Sequence, residues 1–202
     1  YVQKAEALGK KPYMTTQFGD KYRSWARITK ATMRIQHKPG QAMQVDWAGD
    51  TLPIYDSVTG DVTAAYLFEA VLPCSCYTYA EITADEKLET WLTCHVHAYE
   101  YFGGVTRLLI PDNLKTGITK NTRYETVMNR SYHEMAEYYD TAIYPCRVEH
   151  PKDKSYVEGS VKFASTWILA ALRNERFFTL IEAKKAIRIK LEELNMKKFT
   201  ER

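Results

Sequence analysis

The sequence Gln-Ala-Met-Gln-Val-Asp-Trp-Ala-Gly-Asp at residues 41–50 reads as a β-strand with an acidic residue, Asp46, at its centre. Side chains alternate between the two faces of a strand. One face therefore carries Gln44, Asp46 and Ala48, and the other carries Met43, Val45 and Trp47. Taken alone, Asp46 is either a strand residue that faces solvent or one with a role, since aspartate is disfavoured inside a central strand without a reason.

Two further acidic residues lie near the ends of predicted elements. Asp112 follows the apolar strand Val105–Ile110 directly after Pro111, and Glu158 lies near the start of a helical stretch that opens at Pro151. Taken singly, an aspartate in a turn and a glutamate on a helix are ordinary residues. Three carboxylates that converge on one point would instead hold Mg²⁺ or Mn²⁺ and leave positions open for phosphate and water.

The order of the predicted elements, βββαβαβα, indicates an α/β fold. A strand, a turn at Pro39-Gly40 and a second strand are expected over Thr32–Asp50. Further strands are expected at 62–72, 76–82, 105–110 and 141–144, with helices between them and a long helix at 151–174. This order favours the ribonuclease-H-like fold, one mixed five-stranded sheet with helices on both faces. In that fold the first strand is central, the fourth lies beside it and the last helix crosses their ends. Asp46, Asp112 and Glu158 are therefore expected to meet.

The first predicted helix has both a start and a stop signal. Thr83 with Glu86 three residues later forms a capping box, and Gly103 ends the helix. Apolar positions recur between them at helical spacing: Leu88, Trp91, Leu92, His95, Tyr99 and Phe102. Since His95 lies on this stripe, we expect it to be packed in the core rather than catalytic.

Charge divides the chain into three segments. Residues 1–40 hold nine Lys and Arg against two Asp and Glu, 41–110 hold two against ten, and 111–202 hold seventeen against thirteen. Basic flanks around an acidic middle suit a metal-binding core that contacts a polyanion, although uneven solvation charge gives the same pattern. We predict a basic N-terminal arm without periodicity, with the start of the first hairpin, at 1–40, a catalytic core at 41–176 and a basic helical extension at 177–202.

Length and composition fit one globular core with a small appendage. The chain has 202 residues and opens at Tyr1, from which we expect it to be a fragment of a longer protein. No apolar run approaches the roughly 18 residues that span a bilayer, and no signal-peptide pattern is present. The four irregularly spaced cysteines fit a reducing cytoplasm.

Three motifs, taken in order, resemble the catalytic motifs of IstA-type transposases, which belong to the DDE transposase and retroviral integrase superfamily. They are Gln44–Asp50, Pro111–Lys115 and Pro151–Gly159, and the stretch Trp167–Asn174 also matches the sequence that follows the glutamate in this family. The resemblance covers roughly residues 30–190. The gap between the second and third acids is longer than is usual in integrases and is typical of the IstA branch.

The resemblance implies a DDE-type polynucleotidyl transferase in which Asp46, Asp112 and Glu158 hold two Mg²⁺ or Mn²⁺ ions. It implies hydrolysis at transposon ends and transfer of the 3′-hydroxyl to target DNA by a homo-oligomer. The expected place of action is the bacterial cytoplasm, on the nucleoid. The resemblance also implies an AAA+ helper ATPase of the IstB type as a partner.

Polar residues beside the acids are candidate DNA contacts. Lys154 and Lys162 lie four residues on either side of Glu158 on one helix face, where they contact phosphate or form ion pairs with the glutamate. The other candidates are Asn113, Lys115 and Lys152. Two alternatives stay open: a nuclease of the same fold that does not join strands, and a non-catalytic DNA-binding or assembly module.

Overall fold

A computed structural model of the chain describes residues 2–29, 37–111, 118–121, 126–144 and 157–196. Within these ranges it describes every side chain except those of residues 27–29, 118–121, 126–128 and 157–164. The chain divides into two units, Tyr1–Ile35 and Gln36–Arg202. None of the helices in the described ranges is long and apolar enough to cross a membrane.

The second unit is built on a mixed β-sheet. Its described strands are β1 (Ala42–Tyr55), β2 (Val62–Leu72), β3 (Tyr77–Thr83), β4 (Leu108–Pro111), β5 (Ile118–Asn121), β6 (Thr126–Met128) and β7 (Ala142–Ile143). Five of them form one sheet in the order β3-β2-β1-β4-β7, and β5 pairs with β6 in a separate hairpin. β2 is antiparallel to β1 and β3, whereas β4 is parallel to β1 and β7. The predicted five-stranded mixed sheet with a central first strand is therefore confirmed.

Helices cover both faces of this sheet. The described helices are α1 (Val2–Ala7), α2 (Thr15–Thr29), α3 (Leu88–Phe102), α4 (Arg130–Tyr138), α5 (Val157–Leu172) and α6 (Leu180–Asn195). α3 and α4 contribute to the core on one face, and α5 and α6 to the core on the other. α6, which the sequence analysis assigned to a C-terminal extension, packs against β3 and α5.

Successive side chains of β1 point alternately into the two cores, and the residues on each face are those that the sequence analysis predicted. Met43, Val45 and Trp47 belong to the first core, beneath α3 and α4, with Phe68, Trp91 and Tyr132. The second core, beneath α5 and α6, includes Leu52, Leu67, Ile82, Ile168, Leu172, Ile187 and Leu191. Ala48 packs against the second core. By alternation Asp46 lies on that same face, under α5.

β1 is longer than predicted. It runs past Asp50 to Tyr55, and its register with β2 shifts between Trp47 and Thr51. A bulge of this kind adds residues to one strand without ending the pairing, so the polar Gly49-Asp50 pair resembles a strand end in the sequence. The sequence analysis also predicted that the first hairpin starts before Gly40. Residues 30–36 lie outside the described ranges, so that part stays a prediction.

The start of α3 differs from the predicted capping box. Thr83 is the last residue of β3, and its hydroxyl donates to the carbonyl oxygens of Tyr66 at 3.3 Å and Asp85 at 2.9 Å. The helix begins only after Lys87, whose N–H donates to the Asp85 side chain at 3.0 Å. The capping prediction was wrong because pairing with β2 holds Thr83 in the strand. The predicted stop is confirmed, since Gly103 adopts φ +70°.

Side chains fix the edge strand β3 to the neighbouring helices. The Asn195 side chain accepts a hydrogen bond from the Thr78 N–H at 3.0 Å and donates one to the Thr78 carbonyl oxygen at 2.7 Å. The Glu81 carboxylate accepts a hydrogen bond from Lys184 of α6 at 2.9 Å and lies 2.8 Å from Nδ1 of His97 in α3. Helices from both faces are thereby connected to one strand.

The first unit is helical where the sequence analysis predicted an arm without periodicity. In α2, Phe18, Tyr22 and Trp25 follow the helical repeat, with successive ring centroids 6.2 Å and 5.8 Å apart. Tyr22 and Trp25 are each 55% exposed. The expected lack of periodicity was wrong, because these three aromatic residues lie at the i, i+4 and i+7 spacing of a helix face. The assignment of residues 1–40 as a basic arm stays a prediction.

Candidate active site

Asp46 lies in the central strand and is half-buried. Its Oδ1 atom accepts a hydrogen bond from the backbone N–H of Trp47 at 2.8 Å. The Trp47 ring is held in the first core, with its centroid 5.6 Å from that of Phe68 and 5.8 Å from that of Trp91. The backbone that carries Asp46 is therefore fixed by the packing of the adjacent Trp47 ring. A site that positions a ligand requires such support.

The described part of β4 ends beside Asp46. β4 runs parallel to β1, and their register pairs Val45 with Pro111. Pro111 is the last residue of β4, and Asp112 follows it in the sequence. Asp112 itself lies outside the described residues, so its part in the site stays a prediction. The same holds for four of the candidate DNA contacts: Asn113, Lys115, Lys152 and Lys154.

α5 carries the third predicted acid over the same face of the sheet. Glu158 lies in the first turn of this helix, although its side chain and that of Lys162 are not among those described. Leu172 is 1% exposed and belongs to the second core. Glu158 and Ser165 precede it by fourteen and seven residues, so all three lie on one side of the helix. Position 158 thus lies on the side of α5 that carries Leu172, and the meeting of Glu158 with Asp46 stays a prediction.

A fourth acidic residue, Glu69 of β2, is the direct register partner of Asp46. Directly opposed residues of antiparallel strands share a face, with Cβ atoms about 4.5–5.5 Å apart. Glu69 is 0% exposed, and neither carboxyl oxygen makes a hydrogen bond of normal geometry to a described residue. Burial, reinforced by the charge of Asp46, raises the pKa of Glu69 well above its usual range, and the Ser165 side chain opposes that shift.

The sequence analysis missed Glu69. Its signal is a lone charged residue inside an apolar strand, Tyr-Leu-Phe-Glu-Ala-Val-Leu at residues 66–72. A glutamate is rarely buried unless it is paired, because removing its charge from water is costly. The three acids of the motifs lie at the ends of predicted elements or on an alternating strand, where a polar side chain is easily recognised. Glu69 instead lies inside a continuous apolar run.

The carboxyl groups of Asp46 and Glu69 are the type of ligand that Mg²⁺ and Mn²⁺ prefer. Among the described side chains, which include neither Asp112 nor Glu158, no group of three or more His, Cys, Asp or Glu residues could hold an ion. A buried carboxyl group beside a second carboxylate nevertheless fits a cation site. A cation offsets both the repulsion between the two groups and the cost of their burial.

His95 is a packing residue of the first core, as predicted. It is 0% exposed, with Nδ1 2.7 Å from the Trp91 carbonyl oxygen and Nε2 3.2 Å from the Tyr132 hydroxyl. Burial lowers the pKa of His95 to about 4, although the hydrogen bond to Trp91 opposes the shift. Both ring nitrogens are engaged inside the core, so His95 is not a candidate base for the site.

Comparisons with known proteins place these features in a family. The model of the integrase core domain matches residues 36–151. A Pseudomonas fluorescens protein provisionally named as the transposase for insertion sequence IS1162 is 41% identical over 187 residues, which is 93% of this chain and 33% of that protein. A Burkholderia multivorans protein similarly named for IS408 is 39% identical over 191 residues, 95% of this chain and 37% of that protein. The chain thus spans about a third of the length of these relatives.

Solved structures share the fold at low sequence identity. The catalytic core domain of BIV integrase superposes with a TM-score of 0.54 at 14% identity, over 80% of this chain and 88% of that one. A chain of the simian T-cell lymphotropic virus intasome, in complex with PP2A regulatory subunit B56 gamma, gives a TM-score of 0.59 at 14% identity, over 84% of this chain and 53% of that one. These similarities confirm the predicted ribonuclease-H-like architecture.

Proposed function

The chain belongs to the integrase core domain family, as its motifs predicted, and from this premise we propose that it is the catalytic domain of a DNA transposase. The proposed reaction is metal-dependent hydrolysis at transposon ends followed by strand transfer into target DNA. The observation that carries the proposal is the position of Asp46 on the central strand, at the level where β4 ends and under the helix that bears Glu158. The relatives named for insertion sequences support the same assignment.

In the proposed site, Asp46, Asp112 and Glu158 hold two Mg²⁺ or Mn²⁺ ions. Ions bound there would make water nucleophilic and would offset the charge that develops on phosphate oxygens during in-line displacement. Asp46 needs little reorganisation to bind an ion, because the Trp47 N–H already holds its Oδ1 atom. Lys154 and Lys162 are proposed to contact the DNA phosphates beside the acids.

The proposed chemistry needs no nucleophilic side chain. Hydrolysis breaks one P–O bond at the transposon end and leaves a free 3′-hydroxyl on the transposon strand. That hydroxyl then attacks a phosphorus atom of target DNA, so one P–O bond forms as another breaks and the target strand leaves with its own 3′-hydroxyl. The number of phosphodiester bonds is conserved in the joining step, which therefore requires no external energy source.

Joining two transposon ends to one target requires more than one active site, so we propose a homo-oligomer on DNA as the working form. The basic flanks of the acidic middle segment support DNA as the partner. A helper ATPase of the AAA+ class and IstB type is proposed from the motif resemblance alone.

The test is incubation of the purified protein with labelled transposon-end DNA, a target plasmid and Mg²⁺. Nicked ends and joined products are both expected. Excess chelator should abolish both products and leave DNA binding intact, since Lys and Arg supply the phosphate contacts. Calcium should support binding with little cleavage. Robust cleavage in excess chelator would contradict the proposal, and nicking without joining would favour the nuclease alternative.

Deleting residues 1–30 is expected to weaken DNA binding and to flatten its dependence on salt. Residues 1–40 hold nine Lys and Arg against two Asp and Glu, and α2 belongs to the first unit, with Tyr22 and Trp25 exposed. Each lost phosphate contact lowers the slope of log K against log salt by roughly one unit. Binding titrations at several salt concentrations measure the slope, and circular dichroism checks that the sheet unit stays folded. An unchanged slope would show that residues outside 1–30 make the phosphate contacts.

A further inference from the structure

We propose that Glu69 is a positioning residue of the metal site, one that keeps the Asp46 carboxylate turned outward toward the ion. The inference rests on the proposed function, because it requires a metal ion at Asp46. Glu69 is fully buried and Asp46 is only half-buried, so Asp46 is the outer of the two. An ion held by Asp46 is thus expected to lie on the side away from Glu69.

The register of the sheet and the position of α5 bring Glu69 into contact with two elements of the site. Across the sheet, Glu69 faces Asp46 as its direct pair. From the helix side, Ser165 of α5 lies close enough to influence the Glu69 carboxyl group. Ser165 follows Glu158 by seven residues, or about two turns, on the same side of α5. Glu69 therefore lies between the strand that carries the first predicted acid and the helix that carries the third.

Packing alone does not account for a glutamate at this position. The neighbours of Glu69 on the same face of β2, Leu67 and Val71, are each 0% exposed and apolar. An aliphatic residue would fill the same space without the cost of burying a carboxyl group. Glu81 on the adjacent strand provides a contrast, because Lys184 and His97 both contact its carboxylate.

A cation at Asp46 would offset the cost of burying the Glu69 carboxyl group, which the Ser165 side chain only partly reduces. Two ionised carboxylates in this arrangement would repel each other, and a divalent ion bound by Asp46 would offset that repulsion. The fully buried Glu69 side chain occupies the inner side of the pair and so leaves the outer side to the Asp46 carboxylate. Groups that orient the ligands of a metal typically change its affinity 10- to 100-fold when they are mutated.

The experiment measures Mn²⁺ binding to the purified protein without DNA, from the loss of the free Mn²⁺ signal in electron paramagnetic resonance. Glu69→Gln, which keeps the shape and removes the charge, is expected to raise the Kd for Mn²⁺ by about 10-fold or more. Glu69→Val is expected to raise it at least as much. Glu69→Asp, which keeps a carboxyl group, should recover part of the affinity. The matched control is Glu81→Gln, which removes a carboxylate from the neighbouring strand and should leave the Kd unchanged.

Thermal denaturation of the same variants separates positioning from packing. If Glu69 were only a packing residue, its variants would shift the melting temperature and bind Mn²⁺ with the Kd of the parent protein, which would overturn the inference. Using both Glu69→Gln and Glu69→Val keeps the test decisive if one of them does not fold. Asp46→Asn forms a separate arm. Loss of Mn²⁺ binding in Asp46→Asn but not in the Glu69 variants refutes this inference alone, whereas retention in Asp46→Asn refutes the proposed function.

Discussion

Replacing Asp46 with asparagine is expected to reduce DNA cleavage at least about 10³-fold, because the loss of a metal-binding carboxylate removes several kcal/mol of transition-state stabilisation. Asparagine keeps an oxygen atom that can accept the hydrogen bond from the Trp47 N–H, which is 2.8 Å long in the parent chain. The fold should therefore persist, and removing a charge opposite Glu69 should leave the stability unchanged or raise it. Initial rates of end cleavage and thermal denaturation measure the two effects. Asp112→Asn and Glu158→Gln are expected to behave in the same way.

The matched control for this prediction is Asp56→Asn. Asp56 lies in the turn after β1, where its carboxylate accepts hydrogen bonds from the N–H groups of Val58 at 2.7 Å and Thr59 at 2.8 Å. Those backbone hydrogen bonds lower its pKa. Asparagine can still accept in this turn, so cleavage should proceed at the parent rate. An active Asp46→Asn together with an inactive Asp56→Asn would contradict the assignment of the site to β1.

Replacing Trp91 with alanine is expected to lower the free energy of unfolding by about 3–5 kcal/mol, the usual cost of removing a large aromatic side chain from a core. Trp91 is 0% exposed. Its ring centroid lies 4.5 Å from that of His95, 5.3 Å from that of Phe68 and 5.8 Å from that of Trp47. Urea denaturation measures the loss. Because Trp47 adjoins Asp46, the cavity should also loosen the backbone that holds the acid.

Trp25→Ala serves as the control for Trp91→Ala. Trp25 is 55% exposed and lies in the first unit. Substitution of an exposed residue usually changes the free energy of unfolding by no more than about 0.5 kcal/mol, so the unfolding of the sheet unit should be unaffected. Equal effects of the two substitutions would show that the aromatic core does not carry the stability of this unit.

Local patterns in the sequence were sufficient to predict the sheet and the position of Asp46. The alternation of residues 41–50 and the apolar run of β2 specify which faces are buried, and both patterns depend on neighbouring residues only. The spacing of apolar residues on α3 likewise predicted a buried His95. These features could be predicted because periodicity along the chain is enough to determine them.

Features that depend on distant residues could not be predicted in this way. Glu69 becomes notable only once the register places it opposite Asp46, a pairing between residues 23 positions apart in the sequence. Thr83 and Glu86 match a capping box locally, yet pairing with β2 keeps Thr83 in β3. The bulge after Trp47 is likewise defined by the partner strand. In each case a long-range contact overrides or adds to the local signal.

The contact between Asn195 and Thr78 has a consequence for how copies of the protein meet. An edge strand normally offers unpaired N–H and C=O groups to other chains, which invites sheet-to-sheet aggregation. Here one amide side chain occupies both backbone groups of Thr78 in the way that a neighbouring strand would. A second molecule would have to displace Asn195 before it could extend the sheet at this point. Self-association by β-pairing at this point of β3 is thereby disfavoured.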